Sequence, residues 1–93
     1  MEYELTIVLD GATSAAKKKT TLEKVTKLVE VFGGKMGKPQ DLGVKDLAYR
    51  IGKSETGIYV FLPLELDAKG AKSLGDKIRL EEGLIRYLLI RKD

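Results

Sequence analysis

The sequence contains no cysteine and no histidine. Without cysteine there can be no disulfide and no thiolate metal site. Without histidine the chain lacks the commonest general base and the commonest metal ligand. Its longest apolar run, Ile58–Leu64, falls far short of the roughly 20 residues that span a bilayer. No signal-peptide pattern precedes the first strand, since Met1-Glu2-Tyr3-Glu4 is acidic and mixed. A cytoplasmic protein without membrane contact is therefore expected. The only serines are Ser14, Ser54 and Ser73. None lies in Gly-x-Ser-x-Gly, and none has a histidine to activate it. Nothing is arranged for catalysis, so a non-enzymatic protein is expected, with no cofactor and no small-molecule substrate.

What is present describes a folded binding domain. The 93 residues are 43% apolar and 33% charged, the composition of a globular chain and not a disordered one. That length fits one domain over residues 1–93, with a single modest core. The net charge is +3, from 17 Lys and Arg against 14 Asp and Glu. This excess permits nucleic-acid binding without requiring it. The distribution is more informative. Residues 35–53 carry Lys35, Lys38, Lys45, Arg50 and Lys53 against only Asp41 and Asp46, and Arg86, Arg91 and Lys92 lie near the end.

Apolar periodicity gives the order of elements. Residues 3–9 alternate, with Tyr3, Leu5, Ile7 and Leu9 on one face, and read as a strand. Leu22, Val25, Leu28, Val29 and Phe32 recur at three- and four-residue steps, which predicts a helix over 14–32. Thr13 or Ser14 can cap its start, and Gly33-Gly34 can end it. Gly37, Pro39 and Gly43 interrupt the next stretch, so the second strand is expected at about 45–52. A hairpin loop over 53–57 leads to a third strand at 58–66. Pro63 is awkward there, because it cannot donate to a ladder, and it predicts a bulge or an unpaired position. A helix over 68–80 and a strand over 84–91 complete the chain.

Strand, helix, strand, strand, helix, strand is the order of two split strand–helix–strand units. It predicts an α+β, ferredoxin-like βαββαβ sandwich: a four-stranded antiparallel sheet with both helices on one face. The other face is left bare. It should show Val8, Tyr59, Phe61, Leu88 and Ile90, a candidate protein-partner surface. Cover by loop 35–44, or simple tolerance of scattered apolar residues, is the plainer alternative. Lys45, Arg50, Lys53, Arg86, Arg91 and Lys92 form the candidate RNA-binding set, since they come from neighbouring strands and loop ends and suit phosphate.

Other motifs carry less. Gly52-Lys53-Ser54 resembles the end of a P-loop, but Leu47 stands where the motif needs glycine, and no helix follows. Adjacent Glu81 and Glu82 near a helix end diverge, and no third metal ligand follows at a useful spacing. Gly57, Tyr59 and Phe61 partly echo the aromatic strand of RNA-recognition motifs, without the second aromatic cluster.

Leu42-Gly43-Val44-Lys45-Asp46-Leu47-Ala48-Tyr49-Arg50-Ile51 resembles the Gly-x-(Arg/Lys)-x-Leu-Ala-Tyr-Pro-Ile segment of the S-six family of bacterial small-subunit ribosomal proteins. The opening strand Tyr3–Leu9, Gly33-Gly34-Lys35 after the first helix, and the closing Leu84–Arg91 also fit, so the resemblance covers nearly the whole chain. It implies the same ferredoxin-like fold. It also implies a structural role in the small subunit, binding its ribosomal RNA together with the S-eighteen ribosomal protein. Arg50 departs from the family's usual proline, Pro63 is unexpected, and contacts through the charged C-terminal extension that many members carry are not expected. Two further readings compete: a regulatory or small-molecule-binding domain that dimerises through its sheet, and an enzyme on the same fold. The fold by itself does not choose among them.

Overall fold

The computed structural model describes residues 1–51, 54–81 and 84–92, with the side chains of residues 48–51 and 54 outside the description. Strand β1 spans Glu2–Asp10. Its alternation places Tyr3, Leu5, Ile7 and Leu9 in the core. Helix α1 spans Ala15–Val31. Ser14 sits before it in extended conformation, and its hydroxyl oxygen accepts the N–H of Lys17 at 3.2 Å. Of the two capping candidates, Ser14 is the one that caps.

The end of α1 is set by Gly33, whose φ of +79° lies in the left-handed region. From there Gly34 N–H reaches the Val29 carbonyl at 2.9 Å, and Gly33 N–H reaches that of Glu30 at 3.0 Å. These two bonds satisfy carbonyls the helix would otherwise strand. Val25 and Val29 are fully buried, with Leu22, Leu28 and Phe32 packed around them. Thr21 is a polar residue on the same stripe, and its hydroxyl bonds back to the Lys17 carbonyl at 3.0 Å.

Strand β2 is only Lys35–Met36, β3 spans Gln40–Ile51, and β4 spans Ser54–Glu65. Two expectations are corrected here. The strand predicted from residue 45 begins at Gln40, and residues 54–57, expected in a loop, belong to β4. Gly43 hides the start of β3 in the sequence. It breaks the alternation as a bulge, not as a strand end: the β3–β4 register shifts between Asp41 and Gly43. Gly43 takes φ +83°, and its N–H is held by the Asp41 carboxylate at 2.8 Å.

The sheet runs β2–β4–β1–β5, with β3 also on β4. All pairings are antiparallel. β2 and β3 are successive segments along the same side of β4. Five segments thus fill four strand positions, so the expected four-stranded sheet is observed, and β1 and β4 are its central strands. Pro63 fits this interruption. Its carbonyl accepts Gly37 N–H at 2.8 Å, so its donor-less nitrogen faces the same side, in the gap between β2 and β3.

Helix α2 spans Ala68–Ile78, capped by the Asp67 carboxylate on Gly70 N–H. Strand β5 spans Leu84–Arg91. Ala71, Leu74 and Ile78 of α2 join Val25 and Val29 against Leu5, Ile7, Leu9, Ile58, Val60, Leu62 and Leu64. Both helices therefore cover one face of the sheet, as the element order predicts.

Lys18 of α1 forms an ion pair with Asp41 of β3, tying the helix to the bulge. The hydrogen bond from Lys18, then that from Gly43 N–H, hold the Asp41 carboxyl below its ordinary value. A carboxylate with a lowered folded pKa stabilises the fold above its unfolded pKa. That contribution is lost as pH falls through the folded value. Asp41→Asn should therefore cost stability at pH 7, and the deficit should disappear toward pH 2. Both side chains are partly solvated, so the cost should stay below about 1 kcal/mol. Urea titrations of both proteins at the two pH values check this; a deficit equally large in acid contradicts it.

Candidate RNA and protein interface

The register fixes what the face without helices displays. Its rows, read across β4, β1 and β5, are Pro63–Glu4–Ile90, Phe61–Thr6–Leu88 and Tyr59–Val8–Arg86. On the outer side of β4, Gln40 lies opposite Phe61, Gly43 opposite Tyr59 and Lys45 opposite Gly57. The centre is apolar. Leu88 is 56% exposed and Ile90 48%, while Tyr59 and Phe61 are half-buried. Two residues apart on β4, these aromatics project from the same face.

Val8 sits on this face but is buried, with only 4% of its surface accessible. Gly57 is involved. A Cβ on Gly57 would lie 2.6 Å from Val8 Cγ1 and 3.2 Å from Leu47 Cδ2. The missing side chain lets Val8 and Leu47 converge there. Val8 therefore belongs to the floor of the face, while Tyr59, Phe61, Leu88 and Ile90 form its accessible surface.

The basic candidates do not gather at a single point. Lys45 and Arg86 are exposed and lie toward the same end of the face, on strands separated by β4 and β1. Three interstrand spacings separate them by about 14 Å across the sheet, one on each side of the apolar centre. Lys92 lies at the opposite end. Its N–H reaches the Glu2 carbonyl at 2.8 Å, and its ammonium pairs with Glu4 at 3.3 Å. Arg91 pairs in register with Tyr3, a core residue, so its position has the parity of the helix side. Lys53 and the side chain of Arg50 lie outside the described residues, as do the side chain of Tyr49 and most of Gly52-Lys53-Ser54.

Two features escaped the sequence reading. Leu42 and Val44 of β3 are 46% and 60% exposed; the bulge at Gly43 hid the strand that carries them. The Lys92 end of the face also holds an open hollow of about 310 Å³, where Glu2, Glu4 and Glu65 meet Lys35 and Lys92. This end is acidic and basic together, and Asp10, in the row of Gly57 and Lys45, makes the other end mixed as well. Glu81 engages Lys24 across 3.8 Å, and Glu82 lies outside the described residues. Among the described residues no acidic cluster could hold a metal ion, and no helix is long and apolar enough to cross a membrane.

Comparison with known proteins adds three findings. The sequence model of the family described as Ribosomal protein S6 matches residues 2–91. The small ribosomal subunit protein bS6 of Maricaulis maris (strain MCS10) is 34% identical over 89 residues, covering 96% of this chain and 76% of the relative. The crystal structure of 30S ribosomal protein S6 from Thermotoga maritima superposes with a TM-score of 0.89 at 24% identity. That match covers 98% of this chain and 86% of the other, and it shows the same fold.

Proposed function

The chain belongs to the ribosomal protein S6 family of the small ribosomal subunit, and from that premise we propose that it binds small-subunit ribosomal RNA together with the S-eighteen ribosomal protein. The family is one of ribosomal structural proteins, not of enzymes. One observation carries the reading of partners: the bare sheet face has an apolar centre with an exposed cation on either side. An apolar patch suits a protein neighbour, because burying it removes apolar area from water. Cations at its margins suit phosphate, because each neutralised phosphate releases counterions.

The division of labour follows. Tyr59, Phe61, Leu88 and Ile90 contact the protein partner, over the floor made by Val8. Lys45 and Arg86 contact RNA backbone, and the further candidates for that role are Arg50, Lys53, Arg91 and Lys92. Glu4 competes with phosphate for the charge of Lys92.

Phosphate contacts have a salt signature. Lys45→Ala and Arg86→Ala should each weaken binding to a small-subunit ribosomal RNA fragment. Each should also reduce the slope of log K against log salt by about one unit. Affinities measured across a salt series check this. A variant whose slope matches that of the unaltered protein does not contact phosphate.

A further inference from the structure

Strand β5 ends the sheet, and among the described residues only β1 pairs with it. The direction of its backbone groups can be read from Lys92, whose N–H donates to the Glu2 carbonyl of β1. Alternation then turns Ile90 and Leu88 toward β1. Tyr87 and Leu89 turn their N–H and C=O groups away from it, along the free edge. Edges of this kind are usually blunted by lysine, proline or a bulge. From Leu84 to Arg91 there is no lysine and no proline. The register shift lies at the start of the strand, opposite Val8 and Leu9, and leaves Arg86–Arg91 regular.

A groove runs beside this edge, between β5 and α2. Two open hollows of about 640 Å³ and 260 Å³ adjoin there and share Arg79 and Tyr87. Ala71, Gly75 and Tyr87 line it with small and apolar surface, and Gly75 adds no side chain to fill it. Lys72 and Arg79 on its rim outnumber Asp76, and both are exposed. β5 itself carries Arg86 and Arg91 and no acidic residue.

We propose that the free edge of β5 accepts an extended, acid-flanked segment of a protein partner as an added strand. The repeating donors and acceptors of Tyr87 and Leu89 match another backbone, as in other cases of strand addition. Alternate apolar side chains of the segment fill the groove against Tyr87. Acidic residues at its ends meet Lys72 and Arg79. A second copy of this chain is a poorer occupant, because pairing β5 with β5 gathers cations on both sides.

The test uses a capped peptide, Glu-Glu-Val-Thr-Val-Thr-Val-Glu-Glu, added to the isotope-labelled protein. Saturable amide shifts should concentrate on Ile85–Arg91. Exchange of the Tyr87 and Leu89 amides should slow roughly tenfold at saturation. The same peptide with lysine for glutamate should give neither. Leu89→Pro removes an outward N–H that no internal ladder uses, so it should abolish the response while Leu89→Ala keeps it. Arg79→Glu, which leaves the strand intact, should weaken binding at least tenfold and serves if the proline variant fails to fold. Absent shifts at millimolar peptide, shifts elsewhere, or equal binding of the lysine peptide overturn the proposal. So does perturbation of these amides by a ribosomal RNA fragment but not by the peptide, which assigns the edge to RNA.

Discussion

Leu5→Ala should lower the stability of the fold by about 3 kcal/mol, near the middle of the range for buried leucines. Leu5 has no exposed surface. It lies on the central strand β1, with Leu62 opposite on β4 and Leu89 opposite on β5, beneath both helices. Truncation removes buried apolar area and leaves a cavity, because the neighbouring strands and helices fix the walls and cannot close in freely. In a chain of this size each kcal/mol lowers Tm by about 4–8 °C, so the variant should melt well over 10 °C lower. The same substitution at Leu88, on the other face and 56% exposed, should cost under about 1 kcal/mol. Urea unfolding of both variants checks the contrast. Equal losses at the two positions contradict the assignment of core and bare faces.

Leu88→Glu should have the opposite profile, with stability nearly unchanged and partner association lost. Leu88 shares a row with Thr6 and Phe61 and lies midway along the edge strand β5, on the bare face. A carboxylate there must be buried unpaired when an apolar partner closes over it. Leaving such a charge unpaired in a closed interface costs about 2 kcal/mol or more, roughly thirtyfold in affinity. Titration of the variant with the S-eighteen protein, beside a melting curve, measures both quantities. Retained affinity in a folded variant moves the partner off this face.

The fold was largely legible because two periodicities are strong here. Alternation in Tyr3–Leu9 and helical spacing in Leu22–Phe32 each survive as observed elements, and the order of elements leaves few topologies. The second strand was harder. Gly43 interrupts its pattern, and only the bulge held by Asp41 shows that the strand continues through it. Pro63 looked anomalous because the break at residues 37–39 is a tertiary fact: it depends on how β2 and β3 share one side of β4. At the candidate site, parity predicted which residues face away from the helices. It could not predict depth, so Val8 was read as surface although Leu47 and Gly57 draw it inward. Arg86 and Arg91 have opposite parities on the last strand, a difference alternation already implies and the β1–β5 register bears out.

The central claim is that the bare face and its flanking cations act together, one partner on each. The direct measurement is a salt-titrated assay with a small-subunit ribosomal RNA fragment, with and without the S-eighteen protein. The account predicts tight binding when both are present. Affinity for RNA alone should be weaker and fall steeply with salt. Absence of binding under either condition, with dimerisation of the chain through its sheet instead, would contradict it.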